Sequence, residues 1–355
     1  MVEGFTNSVL ASQFDHPKAT PNFHRELWEL CTSDHPLVAI GAPRGHAKST
    51  AITHSYTLAA VLFREHQFVL IVSDTESQAV QFLGDIKKEL QGNEALISLF
   101  GVKKLVKDSE TDIICEMEDG YLFRVMAKGS EQKVRGLKWS NKRPDLIIGD
   151  DLENDEIVMN KERRDKFARW FRGALMPCRG PKGKIRIVGT VLHMGSMLNL
   201  LLPSGKLSVD SGLKVSSLNY RTAWKAVKYR AHTDDFKEIL WADMFSKQRL
   251  TDIRAEYIES GYPDLYSQEY LNEPIDESVS YFKKSDFVEM SEKERQLISN
   301  YKTSGTGDLP LLFYAGADLA ISQKERADYT AIQVVGIDSN NVMYHVDTIR
   351  TRMDS

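Results

Sequence analysis

The sequence predicts an α/β protein built on a central, mostly parallel sheet. Three observations carry that prediction. Short apolar runs recur between amphipathic helices: "LVAIGA" (37–42), "FVLIVS" (68–73), "DLIIGDD" (145–151) and "KIRIVGTVLH" (184–193). They are mostly continuous rather than alternating, as strands covered on both faces are. The first runs into the polar, glycine-containing stretch "PRGHAKST" and then into a helix. The third delivers carboxylates at its C-terminal end, where an open α/β sheet gathers ligands.

The remaining elements follow in order. "PNFHRELWELCTS" sets Phe23, Leu27 and Leu30 at helical spacing beside Trp28. "KSTAITHSYTLAAVLFRE" (48–65) reads as the helix after the first strand, and "TESQAVQFLGDIKKELQ" (75–91) as the helix after the second. "DIICEME" and "YLFRVMA", joined through the Asp-Gly at 119–120, predict a hairpin. A charged helix, "DEIVMNKERRDKFARWFRGALM", precedes the fourth apolar run. From 200 to 300 the pattern is mixed and dominated by Tyr- and Trp-containing helices, with "NEPIDESVSYFKKSDF" as a connecting passage. "TSGTGDLP" is rich in Gly, Ser and Thr and predicts a linker, before three strand-like runs, "LLFYAGADLAI", "YTAIQVVGID" and "NVMYHVDTI". The expected division is a core at 1–200, a lid and linker subdomain at 201–302, a linker at 303–310 and a further domain at 311–355.

At 355 residues the chain has room for two domains, and 42% hydrophobic content supplies their cores. A net charge of −4 argues against a protein coated with basic residues, yet a local patch suffices for phosphate contacts. Cys31, Cys115 and Cys178 lie far apart, with no His or Cys at metal-ligand spacing, which predicts free thiols in a reducing compartment. The N-terminus lacks a basic region followed by an apolar run, and no window approaches the roughly 18 apolar residues of a membrane span. A soluble, intracellular chain without a membrane partner is expected.

The stretch "LVAIGAPRGHAKST" has the parts of a phosphate-binding loop. Such a loop needs converging backbone N–H groups, a lysine for the β- and γ-oxygens, and a hydroxyl for Mg²⁺. Lys48 and Ser49 supply the last two where a helix begins, with Thr50 next, and a helix N-terminus favours anions. Gly45, His46 and Ala47 form the loop around the phosphates, and Gly45 can adopt φ > 0. The strict pattern places glycine at 42 and 47, where this chain has alanine. Ala47 is the easier departure, since ordinary right-handed angles are expected at a helix start. Ala42 is harder to accommodate, although Gly41 beside it can relieve the turn, and Pro43 stiffens the entry.

The second part is "RPDLIIGDDLENDE" (143–156). Nucleotide hydrolysis needs one carboxylate for the metal and one for the attacking water. Asp150 is best placed for the metal, and Asp151 and Glu153 are both candidates for the base. The third is Gly189-Thr190 at the end of "IVGT", whose hydroxyl can sit beside a γ-phosphate. Lys48 and the carboxylates near Asp150 are expected to converge across neighbouring strand ends.

Taken as an ordered set, these motifs resemble the large terminase subunit of tailed bacteriophages, a motor ATPase that packages double-stranded DNA. The resemblance runs through "GAPRGHAKST", "IVSDTESQA", "VRGLKWSNKRPDLIIGDDLEND", "VGTVLH", "YSQEYLNEP" and "GADLAISQKERADYTAI". It implies a RecA/ASCE-like P-loop ATPase followed by the start of an RNase H-like nuclease, acting with ATP and Mg²⁺. Lys48 and Ser49 would bind phosphate and metal, and Asp150 would serve the metal, with Asp151 or Glu153 acting on water. Arg44 would contact the γ-phosphate, Thr190 would couple its loss to motion, and Arg135, with Arg143 behind it, would reach a neighbouring subunit's site. Phe23 and His24 are expected either in the core or near the adenine. The implied partners are double-stranded DNA, a portal protein, a small terminase subunit and further copies in a homo-oligomeric ring. The implied location is the host cytoplasm, outside the mature virion.

For the nuclease, Asp318 matches the first carboxylate, for Mg²⁺ or Mn²⁺. Asp328 is a possible auxiliary ligand, and Asp347 could face solvent. The remaining carboxylates of the family lie beyond the third strand, so cleavage by these 355 residues is not expected. Two other readings stand beside the motor: a helicase of related architecture, and a DNA-binding scaffold with a vestigial nucleotide site. The basic clusters "KWSNKR" (138–143), "KERR" (161–164) and "RGPKGK" (179–184) are candidate phosphate contacts.

Overall fold

The apolar runs become the middle strands of a nine-stranded sheet. The structure is a computed structural model, and it describes residues 1–14, 18–203, 212–219, 223–274, 288–304, 310–318 and 330–351. The strands are β1 (Leu37–Gly41), β2 (Phe68–Ser73), β3 (Val102–Asp108), β4 (Asp112–Met117), β5 (Leu122–Gly129), β6 (Leu146–Asp150), β7 (Lys184–Gly189), β8 (Lys214–Asn219) and β9 (Trp224–Tyr229). Their order is β3-β4-β5-β2-β6-β7-β1-β9-β8. All pairs from β5 to β9 are parallel, and antiparallel pairs close both edges.

Successive residues of a strand point to opposite faces, and here both faces are covered. Val38, Ile40, Val69, Ile71, Leu146 and Ile148 enter one core. Leu37, Ala39, Phe68, Leu70, Ile147 and Ile187 enter the other. That is why these strands read as unbroken apolar runs. The first core is roofed by α1 (Val2–Phe5), α2 (Asn22–Thr32), a π-helical stretch at Thr50–Tyr56 leading into α3 (Thr57–Leu62), α4 (Glu76–Gly92) and α5 (Glu94–Phe100). The second is roofed by α6 (Asp155–Met159), α7 (Lys161–Trp170) with its continuation Phe171–Leu175, and α8 (Met197–Leu201). Side-chain oxygens of Thr75, Asn93, Asn160 and Ser196 cap α4, α5, α7 and α8, each satisfying an otherwise orphaned N–H.

Arg186 is the exception among the core strands. It is fully buried, and it donates to the carbonyls of Cys31 (2.8 Å), Ser33 (3.0 Å) and His35 (2.9 Å) at the C-terminal end of α2. The helix end has unpaired carbonyls and a partial negative charge, so a guanidinium suits it.

Two parts of the sheet differ from the sequence reading. β3, "VKKLVKD", is a lysine-rich edge strand, the composition that keeps edges from pairing with other chains. It therefore looks like a surface stretch in sequence. Within 201–302, β8 and β9 form a hairpin that extends the main sheet beyond β1. Lys225 and Lys228 interrupt the apolar run of β9 and hide it. The helices expected there are α9 (Lys247–Glu259) and α10 (Pro263–Leu271).

The chain divides into two units, Met1–Ser280 and Tyr281–Ser355. The second holds α11 (Glu292–Ser304) and an antiparallel sheet of β10 (Leu312–Asp318), β11 (Thr330–Ile337) and β12 (Met343–Thr351), with Ile298, Tyr344 and Val346 as its small core. The helix α11 includes Thr303 and Ser304, where a linker was expected, and 305–309 lie outside the described residues. Among the described residues, the three cysteines are free and buried, and no helix is long and apolar enough to cross a membrane.

Candidate phosphate-binding site

The loop Ala42–Ala47 leaves the C-terminal end of β1, and helix begins at Lys48. The carboxylates leave the end of β6. These strands are not neighbours, contrary to expectation, because β7 lies between them. Thr190, just past the end of β7, fills that gap.

Lys48 is buried, and its ammonium lies 3.2 Å from Thr190 Oγ1 and 3.2 Å from Asp151 Oδ2. The other Asp151 oxygen accepts from the Thr190 N–H at 3.1 Å. Asp151 has φ 44°, a left-handed angle that Asp adopts more readily than most residues, and this turns its carboxylate toward Lys48. Asp150 is fully buried and accepts from Ser49 Oγ at 3.1 Å on one oxygen and from Thr53 Oγ1 on the other. Burial, and then the neighbouring Asp151, raise the Asp150 carboxyl above the usual carboxylate range. Two adjacent carboxylates beside one ammonium leave negative charge that a cation would offset. The donors are all oxygens, the type Mg²⁺ selects, so Ser49 and Asp150 fit it.

Glu153 is not part of this cluster. Its carboxylate accepts from the N–H groups of Met197 (2.8 Å) and Leu198 (3.0 Å) at the start of α8. Burial raises its carboxyl as well. Thr50 is exposed on the helix beside Ser49.

The glycine-to-alanine departures reverse the expectation. Ala47 has φ 53°, a left-handed angle, and not the right-handed one expected at a helix start. Ala42 has no positive φ, is fully buried, and bonds through its N–H to Gly189 O at 2.9 Å. Gly41 serves packing rather than the turn, since a Cβ there would come within 2.7 Å of Leu202 Cδ1. Gly45 has φ 73°, and a Cβ on it would meet Phe245 at 2.9 Å.

Residues within 229–272 hold this loop. The Arg44 N–H donates to Glu269 O at 2.8 Å, and the Arg44 guanidinium lies 3.3 Å from the Glu269 carboxylate on α10. Asn272 receives the Val191 N–H at 2.8 Å and donates to Tyr229 O at 2.8 Å, tying the loop after β7 to β9. His46 points its ring inward, stacked on Phe245 at 4.6 Å, so its side chain serves packing. His24 Nε2 lies 2.9 Å from His46 O, and burial lowers both imidazoles to about 4. Phe23 is buried among His24, His46, Tyr229 and Trp241. A cleft of about 640 Å³ opens beside the loop, lined by His24, Trp28, Ala47, Ser49, Thr50 and Trp241 among others. That volume suits a small-molecule ligand.

Other expected residues lie elsewhere. Arg135 is exposed in the loop after β5, beside Gly173. Arg143 donates to Pro177 O at 2.8 Å. Asp318 is exposed at the end of β10 and pairs with Ala331, while Asp347 pairs with Val334. Ala331 and Val334 are an odd number of residues apart, so the two aspartates occupy opposite faces of the small sheet. Asp328 lies outside the described residues. Among the described residues, no group of three or more His, Cys, Asp or Glu is placed to hold a metal. Thr53 and Glu269 escaped the sequence reading. Thr53 was within reach of it, because it lies four residues after Ser49 and so shares its helix face.

No protein-family model matches the sequence, and neither does any curated protein. Solved structures do resemble the fold. The large terminase of a thermophilic bacteriophage is 11% identical with a TM-score of 0.46, over 94% of this chain and 69% of that one. The ATPase domain of the large terminase from a Thermus phage is 16% identical with a TM-score of 0.47, over 70% of this chain and 92% of that one. The bacteriophage Phi-29 viral genome packaging motor assembly is 15% identical with a TM-score of 0.41, over 92% of this chain and 80% of that one. The structures that the chain resembles are thus phage large terminases and a packaging motor. At such identities the likeness is one of general architecture and does not reach individual side chains.

Proposed function

We propose that the chain is an ATP-hydrolysing motor subunit that moves double-stranded viral DNA into a procapsid. The observation that carries this reading is the convergence of Lys48, Ser49, Asp150, Asp151 and Thr190 at three strand ends. The loop N–H groups and the Lys48 ammonium would hold the β- and γ-phosphates, phosphate oxygens replacing the Asp151 carboxylate at that ammonium. Ser49 and Asp150 would hold Mg²⁺, which neutralises charge on the phosphates. Asp151, released from Lys48, would take a proton from the water that attacks the γ-phosphorus. The bond to the bridging oxygen then breaks, giving ADP and inorganic phosphate. Asp151 is favoured over Glu153 because both Glu153 oxygens are engaged at α8. Thr190, bonded to both Lys48 and Asp151, is the natural reporter of γ-phosphate loss.

In this reading Arg44 is drawn from Glu269 to the γ-phosphate, and Arg135 acts on a neighbouring copy in a ring on the portal protein. The small terminase subunit delivers the DNA, and the work is done in the host cytoplasm. Asp318 would be the first carboxylate of an RNase H-like nuclease using Mg²⁺ or Mn²⁺, although Asp347 does not share its sheet face. The test of the motor is Lys48→Ala. It abolishes ATP turnover while leaving the circular dichroism spectrum unchanged, and normal turnover in that variant defeats the proposal.

A further inference from the structure

The charge of the chain is unevenly distributed. Residues 131–143 and 161–184 together carry fourteen Lys and Arg against three Asp and Glu, an excess of eleven positive charges. With a chain total of −4, everything else carries an excess of fifteen negative charges. The two segments are stitched side by side in the fold. Trp170 Nε1 donates to Gln132 O at 2.9 Å, Lys166 pairs with Glu131 at 3.1 Å, and Cys178 Sγ donates to Val134 O at 3.2 Å. At the far end, Arg143 reaches Pro177 O and the Gly180 N–H reaches Pro144 O at 2.7 Å. The scattered basic clusters of the sequence therefore form one face.

Lys133, Lys138, Arg169, Arg172 and Lys182 are exposed there, and no ion pair to a carboxylate occupies them among the described residues. Lys166, Arg169 and Arg172 recur every third residue along α7 and its continuation, a stripe rising about 4.5 Å per step. None of the exposed large hydrophobic side chains falls in either segment. A protein partner would want an apolar centre with few charges. A phosphate backbone wants what is present, namely unpaired cations without apolar surface.

We infer that this face grips the phosphate backbone of double-stranded DNA, a conclusion that rests on the motor reading and adds to it where the duplex lies. Contacts of this kind carry no sequence preference.

The test is the variant Arg169→Gln, Arg172→Gln, Lys182→Gln in the full chain, with short blunt duplexes of two unrelated sequences. Binding is followed by fluorescence anisotropy across a salt series. Three lost phosphate contacts flatten the slope of log affinity against log salt by about 2.7. The affinity loss is equal on both sequences, and ATP turnover without DNA is unchanged. Lys237→Gln with Lys247→Gln, elsewhere on the surface, leaves the slope alone. An unchanged slope in the triple variant overturns the inference. An unchanged slope with altered sedimentation also overturns it, assigning the face to a second copy of the chain. If the triple variant loses its thermal transition, Lys182→Gln alone decides, with an expected change of about 0.9. A wild-type chain that turns over ATP but ignores duplex sinks the motor reading itself; wild-type binding with an unaltered variant slope sinks this inference alone.

Discussion

Two sheets of the described residues carry the aspartates in question, and the large one brings its pair to bear on a common point. In the large sheet, Asp150 and Asp151 leave β6 and meet Lys48 and Thr190 from two other parallel strands. In the small sheet, Asp318 and Asp347 sit on outer strands, separated by β11 and facing opposite sides. Parallel strands all end on the same edge, so their following loops gather there. In the small meander β10 and β12 also run the same way, yet Asp318 ends its strand while Asp347 lies in the middle of β12 on the other face. Position along the strand and sheet face, more than the number of carboxylates, decide whether they converge.

The sharpest way to break this comparison is to neutralise carboxylates in each sheet. Asp150→Asn removes the group positioned by Ser49 and Thr53, and ATP turnover is lost. Asp318→Asn and Asp347→Asn leave turnover at the wild-type level. Steady-state phosphate release by the three variants checks this. Comparable losses in all three would mean that the small sheet takes part in hydrolysis.

Acid also separates the two units. His24 and His46 are held neutral by burial against the loop, with imidazoles lowered to about 4. The ordinary value is about 6.5, so the unfolded chain binds these protons first as pH falls. Their contribution is intact above about pH 6.5 and is lost as pH falls toward 4. By pH 5 the cost is about 2 kcal/mol for each ring. The second unit buries no histidine among its described residues: His345 is exposed. Urea melts at pH 7 and pH 5 should show Met1–Ser280 weakening, with His46→Gln flattening the dependence.

Much of this was legible beforehand because the strands near the site are buried on both faces and leave continuous apolar runs. The loop, the acidic strand and Thr190 could each be found by residue type and position. β9 was not, because Lys225 and Lys228 break its apolar run. Nor could the sequence show that α10 carries Glu269 back to Arg44, a contact between residues 225 positions apart. The proposed preference for Asp151 over Glu153 was equally hidden. It turns on a left-handed backbone angle at Asp151 and on the N–H groups of α8, and neither leaves a mark in residue type.

The smallest effects test the same edge of the large sheet, where Ala42 and Ala47 stand in places that phosphate loops give to glycine. A left-handed alanine costs about 1–2 kcal/mol, and glycine relieves that at roughly 0.5–1 kcal/mol of extra unfolded-state entropy. Ala47→Gly should therefore gain up to about 1 kcal/mol, a rise of a few degrees in the melting temperature of a unit this size. Ala42 has no strain to relieve, so Ala42→Gly should lose about 0.5–1 kcal/mol through the entropy alone. Thermal melts of the two variants must move in opposite directions. If both fall, Ala47 does not hold the left-handed angle in solution, and the loop is shaped as its sequence first suggested.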